Sequence, residues 1–130
     1  MLIHNADKHP VLKDTDLWES YVLNWHLKDD DLFIELDIVL LPEHASYTPP
    51  SSDSWACFRE ANLRFVGIEY LKGFDSLCTS KPAIDTTGEK DFGHFEEFKF
   101  SKLGEYFFEI ELAGKLELKA ESLVLDIADI

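Results

Sequence analysis

The chain has 130 residues, of which 45% are hydrophobic, and this fits one domain with a single core. A domain of this size buries about two thirds of the surface of its unfolded chain, so it needs neither a metal nor disulfides to be stable. Twelve Lys and Arg against 26 Asp and Glu give a net charge of −14. Such a charge repels phosphate backbones and anionic lipids, which argues against nucleic-acid and membrane partners.

The sequence shows neither a targeting signal nor a membrane span. No basic start is followed by an apolar run, and the apolar stretch 32–41 is interrupted by Glu35 and Asp37. We therefore expect a cytoplasmic protein.

The two cysteines, Cys57 and Cys78, lie outside any C-x-x-C motif. In a reducing compartment we expect two buried thiols, with a disulfide as the alternative.

The first predicted element is a short helical turn over 14–20. Asp14 or Asp16 would cap it, and the turn would lay Trp18 over one end of a sheet. We expect residues 1–19 to be a loosely attached segment of a single β domain that spans 1–130. Beyond this segment hydrophobicity alternates with a period of two residues, which predicts an all-β fold.

Two amphipathic strands are predicted on either side of an acidic turn, Asp29–Asp31. The core face of the first strand comprises Tyr21, Leu23, Trp25 and Leu27. The core face of the return strand comprises Leu32, Ile34, Leu36, Ile38 and Leu40. The turn lacks the spacing and the glycine of a calcium loop, so a solvated turn is the expected state and a calcium site is the alternative.

The middle of the chain is predicted to be irregular. Residues 42–54 form a long proline-containing loop. After this loop the apolar parity changes twice, which predicts bulges near Arg59–Glu60 and at Gly67. Residues 73–91 are rich in small polar side chains, and we expect a loop there with at most one short edge strand.

A second hairpin is predicted to complete the core. A strand over 106–113 directs Phe108, Ile110 and Leu112 inward, and a glycine turn follows at Ala113–Lys115. The last segment bulges or turns at Ala120–Ser122. Together these elements predict an antiparallel β-sandwich or partly open barrel of about six to eight strands, with at most one short helix.

Motifs for nucleotide binding, zinc-protease and serine-hydrolase chemistry do not occur in the chain, and its five histidines show no ligand spacing. We therefore expect no catalytic residue, cofactor or metal. One alternative is a small enzyme or a ligand- or metal-binding domain that uses the loop 42–54 with His44, Tyr47 and Trp55. Another is a structural homo-oligomer that buries its excess of aromatic residues.

Two predicted strands carry acidic side chains around an aromatic residue on their outward faces. The first group comprises Phe33, Glu35 and Asp37, and the second comprises Phe107, Glu109 and Glu111. If the strands share a sheet, this face suits a basic protein partner. The alternative is that the acidic residues only keep the sheet face soluble.

A resemblance to known proteins lies in three runs of sequence and the closing hairpin at Gly114, the runs being Ser20–Leu27, Asp31–Leu36 and Trp55–Phe65. In these parts the chain resembles small bacterial β-domain proteins. Some proteins of this kind are grouped with the immunity proteins of polymorphic toxin systems. Together with the acidic outward faces, the resemblance favours a non-catalytic protein-binding module, most concretely an immunity-type inhibitor whose acidic face binds a basic effector such as a toxin nuclease.

Overall fold

The computed structural model describes residues 4–128, apart from the side chain of Ser76. One short helix, α1, spans Phe74–Thr79, and two 3-10 helices span Ala6–Lys8 and Pro10–Leu12. No helix in the described part of the chain is long and apolar enough to cross a membrane. The strands are β1 (His4–Asn5), β2 (Thr15–Lys28), β3 (Asp31–Leu40), β4 (Cys57–Lys72), β5 (Ala83–Ile84), β6 (Lys90–Asp91), β7 (Phe95–Phe100), β8 (Glu105–Ile110) and β9 (Gly114–Ile127).

Seven strands form one antiparallel sheet in the order β1-β7-β8-β9-β4-β3-β2, and β5 pairs only with β6. The ladder is not closed, but two backbone hydrogen bonds bridge its seam. The Val22 amide donates to the Gly93 carbonyl over 2.9 Å, and the Phe92 amide donates to the Val22 carbonyl over 2.8 Å. The all-β prediction is confirmed, in the form of a partly open barrel.

The inward faces of these strands form one hydrophobic core. The alternation predicted for β3 is confirmed, because its five inward residues are at most 2% exposed. Aromatic rings fill the centre, with ring centroids 5.0 to 6.4 Å apart, from Phe65, Phe95, Phe98, Tyr106 and Phe108. Much of the aromatic excess is thus buried within one chain.

The predicted helical turn at 14–20 is wrong, because β2 begins at Thr15 and pairs with β3. The buried Ser20 hydroxyl donates to the Asp16 carbonyl and accepts from the Val39 amide, which holds this irregular part of the strand to its neighbour. Pairing with β3 overrides the local capping signal. Residues 4–19, expected to be loosely attached, contribute Ala6, Leu12 and Leu17 to the core.

A register shift in β2 between Val22 and Asn24 changes which side chains face inward. Val22 is fully buried, whereas Tyr21 lies opposite the outward Asp37. Beyond the shift Trp25 lies opposite the buried Ile34, as the alternation predicted. The predicted core face is therefore right at Trp25, which packs against the core, and wrong at Tyr21 and Leu23, which line a groove on the outer surface. Leu27, near the end of the strand, is 44% exposed.

The bulge predicted near Arg59–Glu60 is absent, because the β3–β4 ladder runs without a shift from Leu32–Phe65 to Leu40–Cys57. Arg59 has the inward parity at the end of the barrel, and its guanidinium donates to the carbonyls of Ser46 and Ala128 over 2.8 Å each. The irregularity predicted at Gly67 lies between Ile68 and Tyr70.

The second half agrees with the sequence prediction only in part. Leu112, predicted to be buried, is 42% exposed because β8 ends at Ile110 and the chain turns before β9. The final segment is one continuous strand whose inward parity changes between Ala120 and Leu123, which agrees with the bulge predicted there as one of two alternatives. Residues 73–91, predicted to be a loop with at most one short edge strand, contain helix α1 and the two paired strands β5 and β6. Both cysteines are free, and the expectation of two buried thiols is right for Cys57 and wrong for Cys78, which is exposed.

Candidate functional site

The two acidic groups predicted from the sequence belong to the same sheet but do not form one patch. Strands β9 and β4 lie between β8, which carries Phe107 and Glu109, and β3, which carries Glu35 and Asp37. Glu111 lies in the exposed turn that follows β8. The two groups are therefore two separate acidic surfaces, with two strands between them.

The β8 group is interspersed with basic side chains. Lys115 lies opposite Glu109 on one side and Glu97 lies opposite it on the other, while Lys99, opposite Phe107, pairs with Glu97 over 2.8 Å. The Glu111 carboxylate accepts a hydrogen bond from a backbone amide over 3.3 Å. Neighbouring lysines reduce the negative potential, so this group is the weaker candidate for binding a basic partner.

The β3 group is extended by its neighbours into two rows across the outer surface of the barrel. Residues that lie directly opposite each other in adjacent antiparallel strands have Cβ atoms about 5 Å apart. One row comprises Asn24, Glu35, Asn62 and Asp126, and the other comprises Tyr21, Asp37 and Glu60. We call the four carboxylates of these rows the acidic face: Glu35, Asp37, Glu60 and Asp126.

The carboxylates of the acidic face lack basic partners. Within residues 4–128 none of the four forms an ion pair. Burial raises the pKa of Asp37, and the negative charges of Glu60 and Glu89 raise this pKa further. Repulsion between close carboxylates is relieved when a cation binds among them, so the face is suited to ammonium or guanidinium groups.

Aromatic rings border one end of the acidic face. Trp55 is 66% exposed and contacts Phe58 edge-on, with 5.3 Å between ring centroids. Phe58 lies 6.0 Å from Tyr21, which in turn lies 4.4 Å from the His94 ring. The His94 Nδ1–H donates to the Ser20 carbonyl over 2.9 Å. These contacts hold the rings beside the carboxylates.

The acidic face is concave. A groove of about 300 Å³ is lined by Glu35, Glu60 and Asp126, among others. A second groove, of about 320 Å³, lies between Asp37 and the β5–β6 hairpin and contains one basic residue, Lys90. Leu23 lines both grooves, so they meet on the outer surface of the barrel.

Phe33, predicted as an apolar anchor, is engaged by its own sheet. Its ring stacks on His26 with centroids 4.7 Å apart, and the Arg64 guanidinium lies 5.2 Å from the ring centroid. Arg64 donates two hydrogen bonds to one carboxylate oxygen of Asp31, whose other oxygen accepts from the Gly67 amide.

The acidic turn Asp29–Asp31 was considered as an alternative calcium site. Residues 4–128 contain no cluster of three or more metal-ligating side chains, at this turn or elsewhere.

The alternative site in the loop 42–54 does not assemble. His44 accepts a hydrogen bond from the Ser46 amide at Nδ1 over 3.0 Å, and Tyr47 packs against the core. Trp55 instead contacts Phe58 on the outer surface. The three side chains therefore have different surroundings and do not converge on one ligand.

Four residues of this surface were not predicted from the sequence, namely Tyr21, Phe58, Glu60 and Asp126. Phe58 and Glu60 were obscured by the bulge assumed near Arg59, and Tyr21 by the unrecognised shift in β2. Asp126 could have been found, since it alternates with Leu125 and Ile127 on the last strand.

Comparisons of the chain with protein-family models, curated proteins and solved structures find no match. Function has to be inferred from the geometry and charge of the surface.

Proposed function

We propose that this protein is a non-catalytic binding module whose acidic face binds a basic partner protein. The observation that carries the proposal is the set of four carboxylates in two adjacent rows, none of them ion-paired within residues 4–128, beside the exposed ring of Trp55. Carboxylates around an aromatic residue combine attraction of a basic surface with a large apolar contact.

The two kinds of side chain have different roles in the proposed complex. The carboxylates attract a basic protein over several ångströms and mainly raise the association rate, which makes binding sensitive to salt. Trp55 and Phe58 lose water on contact and mainly slow dissociation. A second copy of this chain is a poor occupant, because it would bring the same negative charge.

The most concrete form of the proposal is an immunity-type inhibitor of a basic effector. Proteins that act on nucleic acids carry basic surfaces because they contact phosphate backbones. An acidic protein can cover such a surface and compete with the nucleic acid. The net charge of −14 supports this role, as does the resemblance to small bacterial β-domain proteins, some of which are grouped with immunity proteins.

Affinity capture from the native cell, followed by mass spectrometry, supplies the partner for the test. Binding of the purified partner is then measured against salt for the parent, for Glu35→Lys/Asp37→Lys and for Glu109→Lys/Glu111→Lys. Both double variants change the net charge equally. We expect the first to weaken binding about tenfold or more and to flatten the salt dependence, and the second to do much less.

Equal effects of the two double variants would show that only net charge matters, and this would overturn the proposed face. The aromatic contribution is tested separately with Trp55→Ala, which we expect to increase the dissociation rate about tenfold while changing the association rate little. Unchanged dissociation would remove Trp55 from the interface.

A further inference from the structure

The open side of the barrel is closed by residues 4–12, which we call the N-terminal strap. Its first residues, β1, pair with Lys99 and Phe100 of β7. Further along, Ala6 and Leu12 are 1% and 2% exposed and belong to the core. Ala6 and Leu12 line a small cavity together with Thr15 and Leu17, so the strap also lies against the first half of β2.

His9 connects the two 3-10 helices of the strap. Its amide donates to the Ala6 carbonyl over 2.9 Å, and its Nδ1 accepts from the Val11 amide over 3.2 Å. A backbone amide can only donate, so Nδ1 carries a lone pair and the imidazole is neutral. The Nε2 atom lies 3.5 Å from the Tyr106 hydroxyl.

The surroundings of His9 disfavour a positive charge. Its ring packs edge-on against Phe100, 4.7 Å away, and burial lowers the pKa of His9. Within residues 4–128 no carboxylate lies within ion-pair distance of the His9 ring.

The titratable groups around His9 come from three other elements. Tyr106 of β8 faces the ring directly, and His4 of β1 packs on Phe100 with 5.3 Å between centroids. The His4 Nε2 atom is itself buried without a hydrogen-bond partner in the described residues. His44 of the 42–54 loop lines a groove together with Val11. Lys99 and Glu105 alternate with Phe100 and Tyr106 and so have the outward parity.

We propose that the N-terminal strap is a pH-sensitive latch that closes on the barrel when His9 is neutral and opens when His9 is protonated. Protonation at Nδ1 removes the acceptor of the Val11 amide and places a charge against Phe100. In the open state the imidazole is in water and regains its ordinary pKa of about 6.5. The latch is therefore most stable above this pH, and each unit below it favours opening up to about tenfold.

Hydrogen exchange of the full-length protein, followed by NMR, tests the latch. The reporters are the amides of Leu12 and Lys13, which donate to the carbonyls of His9 and Pro10. After correction for intrinsic exchange rates, we expect their protection to fall about tenfold between pH 7.5 and pH 5.5. Amides in the first half of β3, which pairs with β4 and with the second half of β2, should keep their protection. Equal strap protection at both pH values would overturn the proposal.

Two variants separate His9 from other histidines. In His9→Asn the side-chain oxygen can still accept from the Val11 amide but does not titrate, so the pH dependence should disappear. His44→Asn is the matched control, because His44 makes the same local bond with the Ser46 amide and lies beside Val11. A pH dependence that survives His9→Asn, or that is lost in His44→Asn, would contradict the proposal.

The titration of His9 can also be measured directly in the parent protein, in case the His9 variant does not fold. The imidazole of His9 is titrated by NMR together with the strap resonances. We expect His9 to titrate below pH 6.5 and the strap resonances to follow it. Titration at or above pH 6.5, or strap resonances that do not follow, would overturn the latch.

Discussion

Asp37 of β3 lies directly opposite Glu60 of β4 on the outer surface of the barrel. Like charges in directly opposed positions destabilise a sheet, and the pKa of Asp37 is raised by burial and by the charges of Glu60 and Glu89. Repulsion between the carboxylates of the acidic face therefore lowers the stability of the free protein. Binding of a basic partner would relieve this repulsion.

We predict that Asp37→Asn stabilises the free protein at pH 7 by about 0.5 to 2 kcal/mol, the usual gain from removing an unfavourable charge. A raised pKa in the folded state means that ionised Asp37 lowers stability above the ordinary pKa of about 3.9. The gain should therefore shrink as the pH falls towards 4. Urea unfolding at several pH values measures this, with Asp53→Asn in the exposed loop as control. A destabilised Asp37→Asn would refute the prediction.

Leu36 and Leu112 were both predicted to face the core, and the structure separates them. Leu36 is fully buried, whereas Leu112 is 42% exposed. Truncation of Leu36 to Ala should cost about 2 to 5 kcal/mol in unfolding free energy, from lost transfer energy and a cavity. Truncation of Leu112 should cost about 0.5 kcal/mol or less. Urea unfolding compares the two, and similar costs would contradict the packing.

Gly73 and Gly88 both have a left-handed backbone, with φ of +96° and +87°, but different surroundings. A Cβ at Gly73 would collide with the Lys115 carbonyl oxygen, whereas a Cβ at Gly88 meets nothing within 4 Å. Both Gly→Ala variants should lose about 1 to 2 kcal/mol through backbone strain. Gly73→Ala should lose more, because β9 would have to move. Equal unfolding midpoints would contradict this difference.

Arg59 connects the loop 42–54 region and the end of β9 to the barrel through the carbonyls of Ser46 and Ala128. Replacement by Leu should cost about 1 to 3 kcal/mol and should increase protease cleavage in the loop. Arg64→Leu is the control, because Arg64 is partly exposed and its pair with Asp31 contributes about 1 kcal/mol or less. A loop that stays protected in the Arg59 variant would argue against this connection.

The net charge of −14 predicts that the protein binds neither DNA or RNA nor anionic vesicles at ordinary salt. Gel-shift and vesicle-sedimentation assays at micromolar protein measure this directly. A salt-sensitive shift would contradict the prediction and would point to a basic patch that the net charge conceals.

Strand character is the part of this fold that could be predicted from the sequence alone. Alternation from Leu32 to Leu40 identified β3 and its buried face, and the acidic turn before it identified the first hairpin. Side chains of an extended chain alternate between faces for steric reasons that act within a few residues, so the pattern is visible locally. Glu35 and Asp37 were placed outward by the same rule.

Only the tertiary structure decided which strands lie side by side. Glu60 joins Asp37, and Asp126 joins Glu35, because β4 pairs with both β3 and β9. Such pairs join residues far apart in the chain, and no local pattern specifies them. Local signals also gave a false helix before Tyr21, because capping and helix propensities are worth about 1 kcal/mol and strand pairing exceeds them. The sequence alone therefore determined an acidic β protein, and long-range pairing determined where its acidic side chains meet.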